Sequence, residues 1–435
     1  MKITRIVLTC FALTLFLLQP IHAAASGPVA LVLTIDGAIT PAMQEYLSRG
    51  IQTAEQQGED VIILQLNTPG GGLDPMQKMA EDIRASSVPV VVYVSPNGAW
   101  AASAGTVITL AGHAAAMAPE TAIGAASPVG SQGTDLSTTE ETKVKEAMKA
   151  LVRSYTERRG AEATALAEST IESAIAVSAS EALNAHLVDF IANDLTDLLN
   201  QLDGFTVQMA DGPRTLHTAG AVPQTLEMSL IEQLLQLLVD PNFVLILLSI
   251  GAQAILIELS NPGGWVAGFI GVVCLALAAY GLGILPVNWF GLAFMIIAFI
   301  LFIVDIKAAT HGGLTAAGIG SFIVGALVLF NSPGTPQFQR VSVPLVIMIA
   351  LVIGISFAII VGFALRAQKR KVITGQEGMR GQTGIARTDI NPTGQVQSGA
   401  ELWTAELAEG QSRIRMGEKV EVVKVEGLKL KVKKM

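Results

Sequence analysis

The stretch Asp60–Ala85 reads DVIILQLNTPGGGLDPMQKMAEDIRA. Five of its first seven residues are apolar, which predicts a short strand buried on both faces, as in a parallel sheet. Asn67-Thr68-Pro69-Gly70-Gly71-Gly72 then breaks the run, and Leu73 to Ala85 follows with helical spacing. Glycines at such a turn let backbone N–H groups face a ligand with no Cβ in the way. Taken alone, the turn also fits an ordinary strand-to-helix connection. The same alternation recurs on either side. Val29 to Ile35 and Val88 to Val94 read as buried strands; Pro41 to Gln57 and Thr142 to Arg159 read as helices. From Pro28 to about Ala221 this predicts an α/β layered fold.

Beyond that region the composition changes. The 435-residue chain is 51% hydrophobic and 15% charged, with a mean hydropathy of +0.52. Such a chain has ample apolar surface to bury and is not disordered, and two cysteines exclude a disulfide scaffold. Between Asn242 and Leu365 only Glu258, Asp305, Lys307 and Arg340 are charged, and the net charge of −8 averages an acidic remainder with a C-terminal 70 residues of +6. A membrane between the two ends accounts for both facts. Gly, Pro and polar residues divide the block into about five spans, near Asn242 to Leu259, Trp265 to Leu285, Trp289 to Val304, Gly313 to Phe330 and Pro344 to Leu365. Residues 226–241 carry leucines at helical spacing, predicting an amphipathic helix that lies at the membrane interface or packs on the preceding domain. Residues 1–25 read as a secretory signal peptide, with Lys2 and Arg5, an apolar run from Ile6 to Leu18, and Ala23-Ala24-Ala25. Export followed by five crossings returns the C-terminus to the cytoplasm, where Arg366, Lys369, Arg370 and Lys371 fit the positive-inside rule. The expected location is the inner (cytoplasmic) membrane, multi-pass, with the α/β domain outside.

Two further segments carry chemistry. Ser95 to Gly105 (SPNGAWAASAG) follows a strand and places Ser103, between two alanines, where a helix begins. A helix N-terminus offers N–H groups and a positive dipole end to a developing oxyanion, although Ala-Ser-Ala-Gly also fits tight packing. Lys143, Lys145 and Lys149 lie on the helix that follows. Such lysines also fit a solvated face, but a lysine whose pKa falls toward neutrality can act as general base for a serine. His113, His186, His217 and His311 show no metal-ligand spacing, and no Walker sequence is present. No cofactor is expected.

The strand–NTPGG–helix unit, AWAASAGT, AAMAPETAIGAASPVG, the lysine-bearing helix, SASEALNAHLVDFIANDLTDLLNQLDG and NPGGWVAGFIGVVCLALAAYGLGILPVNWFGL together closely resemble the long-form NfeD membrane proteases. That resemblance implies an exported domain of the ClpP/crotonase fold over 28–225 and a serine endopeptidase that cleaves apolar, membrane-associated segments. It places Ser103 on the nucleophile and Lys143 on the general base. The N–H groups of Gly71 and Ala104 would form the oxyanion hole, with Gly70 shaping the turn. The chain departs from the family at Lys145-Glu146, where Asn-Asp is common, and at Gly160-Ala161-Glu162, where Gly-Arg-Asn is usual. A signal-peptide-peptidase-A type enzyme and a catalytically silent membrane scaffold are the competing readings.

From Gly378 to Met435 about five short strands predict a small barrel. It resembles the OB-type domain of NfeD proteins (366–435), with glycines at 375, 378, 381 and 384. Trp403 is the one aromatic after Arg366, so a stacking platform for nucleic acid is missing. The resemblance implies a stomatin-like (SPFH-type) membrane partner, and homo-oligomers are expected. Lys429, Lys431, Lys433 and Lys434 read as a solvated or lipid-facing basic tail.

Overall fold

The computed structural model describes residues 27–128, 138–260, 263–285, 287–308, 310, 312–331, 340–368 and 376–435. The signal peptide expected over residues 1–25, with Cys10, lies outside them, as do His311, Lys369, Arg370, Lys371 and Gly375.

The first domain runs β1 (Val29–Asp36), α1 (Pro41–Gln57), β2 (Val61–Asn67), α2 (Leu73–Ala85), β3 (Val90–Val94), β4 (Trp100–Ala102), α3 (Ala104–Ala111), β5 (Ala114–Met117), β6 (Ala122–Gly124), α4 (Thr138–Thr156), α5 (Ala161–Glu172), β7 (Ala176–Ser178), α6 (Ala179–Asn184), β8 (Phe190–Ile191), α7 (Leu195–Leu202), β9 (Thr206–Met209), β10 (Gly212–Thr215) and β11 (Val222–Thr225). A six-stranded parallel sheet has the order β11-β1-β2-β3-β5-β8, and β4-β6-β7 form a second, smaller sheet. The α/β layered architecture expected from the sequence is therefore present. Every residue of β3 is buried, because helices cover both faces. Leu33, Leu64, Val92 and Met117 pack with α1, α2 and α3 on one face; Val32, Ile63, Tyr93 and Ala116 pack with α7 on the other. Each of the Leu, Val, Ile and Met side chains contributes about 1.5–3 kcal/mol by leaving water. Local signals set the ends of α1. The Thr40 hydroxyl accepts the Met43 N–H, Pro41 opens the first turn, and Gly58 closes the helix at φ 70°.

The amphipathic segment becomes α8 (Leu230–Leu237), started by a capping box between Ser229 and Glu232. Its polar side, not its apolar side, faces the domain. Glu232 is buried, and Arg49 of α1 donates to both of its carboxylate oxygens at 2.7 and 2.8 Å. The Thr40 hydroxyl donates to Gln236 Oε1 at 2.6 Å. Leu230, Ile231, Leu234 and Leu237 are left exposed, the disposition an interfacial helix requires. The hydrogen bond from Arg49 holds the Glu232 carboxyl below its ordinary range. The resulting stabilisation is present above the unfolded-state pKa of about 4.3 and is lost as pH falls through the lower folded value. Glu232→Gln should therefore cost about 2 kcal/mol at pH 7, read as a lowered thermal midpoint, and the gap from wild type should narrow in acid. Equal midpoints at pH 7 would exclude the latch.

Five apolar helices follow: α9 (Pro241–Ser260), α10 (Val266–Ile284), α11 (Trp289–Lys307), α12 (Gly313–Phe330) and α13 (Val343–Gln368). Among the described residues, Pro241–Leu259, Val266–Ile284 and Gly313–Phe330 are long and apolar enough to cross a bilayer, while Trp289–Asp305 and Val343–Ile359 are shorter apolar stretches. Glycines set the close crossings. A Cβ on Gly271 would lie 2.9 Å from the Gly251 carbonyl oxygen, and one on Gly291 would lie 2.2 Å from the Leu329 nitrogen. Two of the charges in this block have local work. The Glu258 carboxylate accepts N–H groups of Gly263, Trp265 and Gly268 at the start of α10, and Asp305 accepts from the hydroxyls of Thr310 and Thr315.

After α14 (Gln376–Met379), strands β12 (Thr383–Ala386), β13 (Thr393–Ser398), β14 (Glu401–Leu407), β15 (Lys419–Glu426) and β16 (Lys429–Lys434) close into a five-stranded barrel of order β12-β13-β14-β16-β15. All five expected strands are present. Ala386, Val396, Ala405, Val420, Leu430 and Val432 fill its interior. The basic tail is not free. Lys431 pairs with Glu426, Lys433 with Glu421, Lys429 with Glu406 and Lys434 with Glu418, so little of its charge is left over for lipid.

Candidate active site

The glycine turn is built from Thr68. Its buried hydroxyl accepts the Gly70 N–H at 3.1 Å and donates to the Gly70 carbonyl at 3.0 Å. Its N–H donates to Trp100 O, its carbonyl accepts from Ala102 N, and a Cβ on Gly105 would meet its methyl at 2.5 Å. Ile39 fastens the other side: its N–H donates to Gly70 O at 2.8 Å and its carbonyl accepts the Gly72 N–H at 3.0 Å. Gly70 and Gly72 thus have their amides engaged, and the Gly71 N–H between them has no acceptor among the described residues. The alternation of an extended backbone points it away from Ile39.

Ser103 is the N-cap of α3, with φ 52° and ψ −113°. For a residue with a Cβ such a backbone costs about 1–3 kcal/mol and persists only when its surroundings over-determine it. Here the Ser103 N–H donates to Gly124 O at 2.9 Å, and the Thr106 hydroxyl shares its one proton between Ala101 O and Gly124 O, 2.8 and 2.9 Å away, while accepting the Gly124 N–H. Gly124 itself sits at φ 130°, where a Cβ would fall 2.2 Å from Ile175 O. The hydroxyl of Ser103 is half-buried and has no partner among the described residues. Ala104, first in α3, has no carbonyl within the helix to receive its N–H.

The two segments meet. A Cβ on Gly70 (φ 123°) would lie 2.9 Å from Ser103 Cβ and 3.3 Å from its Oγ, so only glycine lets the turn approach the serine this closely. Ser103, the turn and two N–H groups without an acceptor among the described residues therefore share one place. Exposed apolar side chains, Leu73, Trp100 and Ile175, come from segments that flank it. A cleft of about 750 Å³ opens beside the turn, lined by Ile39, Pro69 and Leu73 and, opposite, by Met228, Leu237 and Leu285.

Lys143 lies near the start of α4, just after residues 129–137, which are outside the described set. It is exposed, and among the described residues it has no hydrogen-bond or ion-pair partner. Its neighbours differ. Lys145 Nζ lies 2.8 Å from Glu141, and Lys149 Nζ lies 2.8 and 3.0 Å from Glu146 and Glu172. These carboxylates raise both pKa values, the wrong direction for a base. His113 is no substitute. It is fully buried, accepts the Val90 N–H at Nδ1, and burial with nearby Arg84, Arg158 and Arg214 pulls its pKa down to about 3.

Sequence reading missed Thr68, Thr106, Gly124 and Ile175. Thr68 and Thr106 stand inside the quoted motifs, but only the folded chain shows that their hydroxyls lock the two loops.

Comparison with known proteins gives consistent matches along the whole length. The N-terminal domain of NfeD1b matches residues 29–209, the NfeD integral membrane domain 242–363, and the NfeD-like C-terminal, partner-binding domain 376–434. The membrane-bound protease PH1510 of Pyrococcus horikoshii is 34% identical over 434 residues, 98% of this chain and 97% of that one. Membrane protein NfeD1b of Bacillus subtilis is 26% identical over 450 residues, again 98% and 97% of the two chains. A solved lysine-to-alanine mutant of the 1510-N membrane-bound stomatin-specific protease, in complex with a substrate peptide, is 31% identical with a TM-score of 0.45, covering 48% of this chain and 97% of that chain.

Proposed function

The chain belongs to the NfeD family of membrane proteins, and from that premise we propose that it is a membrane-bound serine endopeptidase working through Ser103 and Lys143. One observation carries the reading: Ser103 is held at φ 52° at the start of α3 against the glycine turn, and among the described residues neither its hydroxyl nor the Gly71 N–H has a partner. Neutral Lys143 takes the Ser103 proton as Oγ attacks a peptide carbonyl. The Gly71 and Ala104 N–H groups receive the oxyanion. Lys143 returns the proton to the leaving amine, and water hydrolyses the acyl-enzyme. Among the three lysines Lys143 suits this best, since carboxylates hold the other two. Lys143 is exposed in the single chain, and the substrate or a second copy in a homo-oligomer covers it.

The substrate is an apolar segment of a membrane-associated protein. The apolar rim and the cleft reaching Leu285, at the end of α10, support that, and so does the name of a relative specific for stomatin. A stomatin-like partner would engage the C-terminal barrel, whose matching family domain is partner-binding. Residues 28–225 are exported, five helices cross the inner membrane, and 366–435 lie in the cytoplasm.

A membrane-impermeant fluorophosphonate tests nucleophile and topology together. On intact spheroplasts we expect one adduct, on the peptide carrying Ser103. Labelling only after permeabilisation would reverse the topology, and an adduct elsewhere would remove Ser103 as nucleophile.

A further inference from the structure

At the end of α4 farthest from Lys143, the 3-10 turn Glu157–Arg159 delivers two arginines to a pocket of about 470 Å³. His186, Asp189, Phe205 and Gln208 help to line it. The Arg159 side chain is 4% exposed, yet its Nε, Nη1 and Nη2 have no hydrogen-bond partner among the described residues. Asp189 Oδ1 lies 2.7 Å from Nη1 without an aligned hydrogen bond, and the other Asp189 oxygen accepts the Ala115 N–H at 2.8 Å. Arg158 spends an N–H on Gly112 O at 2.9 Å and feels the charges of Arg84 and Arg159 beside that of Asp189. The cluster therefore carries more positive than negative charge.

A buried guanidinium with unaligned donors is costly to leave so. Its planar fork matches the two oxygens of a carboxylate or phosphate. The pocket is roomier than one inorganic ion needs, and Phe205 offers an apolar wall. We infer that this pocket is an anion site that takes a phosphate or carboxylate group borne on a small organic body, with Arg159 as the principal donor. It is built from the C-terminal turn of α4, the β7–β8 connection and the β9 hairpin, apart from Ser103 and the glycine turn, and it does not depend on the peptidase reading.

The test is titration of the full-length, detergent-solubilised protein with inorganic phosphate, phenyl phosphate and benzoate at constant ionic strength. Saturable binding is expected, with phenyl phosphate tighter than inorganic phosphate; equal affinities would remove the organic body from the inference. Arg159→Gln should weaken it at least about 10-fold, the loss of one hydrogen bond to a charged group. Asp189→Asn, which keeps an acceptor for Ala115 but removes the competing charge, should tighten it. Arg153→Gln, on an exposed arginine paired with Glu168, should change nothing. If Arg159→Gln fails to fold, Asp189→Asn and Arg158→Gln decide the matter, and a tightening in the first with a weakening in the second is required. Absence of saturable binding of all three ligands to the wild type, or unchanged binding in these variants, overturns the inference.

Discussion

Ser103→Ala is expected to lower kcat on an apolar peptide by about 10³-fold or more, since removing a nucleophile that acts as a unit with its base abolishes the covalent route. The fold should be untouched. Alanine keeps the Cβ, so the strain at φ 52° is unchanged, and the Ser103 hydroxyl has no partner among the described residues to lose. Lys143→Ala should cost a similar factor, because the serine proton then has no acceptor. Lys145→Ala should stay within a few-fold of wild type, since Glu141 already holds that ammonium. Steady-state hydrolysis by the three variants separates these outcomes. Undiminished cleavage by Ser103→Ala would end the mechanism, and absence of cleavage by the wild type would leave a catalytically silent scaffold. A loss in Lys145→Ala with Lys143→Ala intact would move the base by two residues.

The second large effect concerns Gly71. A Cβ there would fall 2.3 Å from Ile39 O and 2.5 Å from Ile39 N, rigid backbone that cannot step aside. Gly71→Ala must therefore shift the turn off Ile39 and withdraw the N–H from the place where the oxyanion forms. Losing one such donor costs about 10²–10³ in kcat. Gly70→Ala should be at least as damaging, through its φ of 123° and the 2.9 Å approach to Ser103 Cβ. In both variants the fall should be in kcat, with KM little changed, because the oxyanion exists only in the transition state and intermediate. A rise in KM alone would make the turn a binding element and not an oxyanion hole.

How much of this was legible depends on the range of the signal. Strand β2, the glycine turn and α2 are written locally, in an apolar run, a break and a helical period, and all three lie where the sequence places them. Strand β5, by contrast, is Ala114–Met117, four small or flexible residues with no alternation; it is a strand because β3 and β8 flank it. The direction of α8 was equally hidden. Its leucine spacing fits either packing on the domain or lying on a membrane, and the long-range Arg49–Glu232 pair turns the leucines outward.

The sequence by itself determined the layered α/β domain, the apolar block with four charges, the five-stranded barrel, and the segments in which a serine, a glycine turn and lysines stand. These follow from composition and periodicity, which act over a few residues. Only the tertiary structure decided which groups are free. Ile39 engages the Gly72 amide and Glu172 reaches Lys149 from far along the chain, beside the local pairs Thr68–Gly70, Glu141–Lys145 and Glu146–Lys149; among the described residues the Gly71 N–H and Lys143 are left without a partner. Whether a donor or a charge is available depends on what its neighbours in space have already satisfied. Where Thr68 packs on Gly105, or Glu172 pairs with Lys149, those neighbours are distant in the chain.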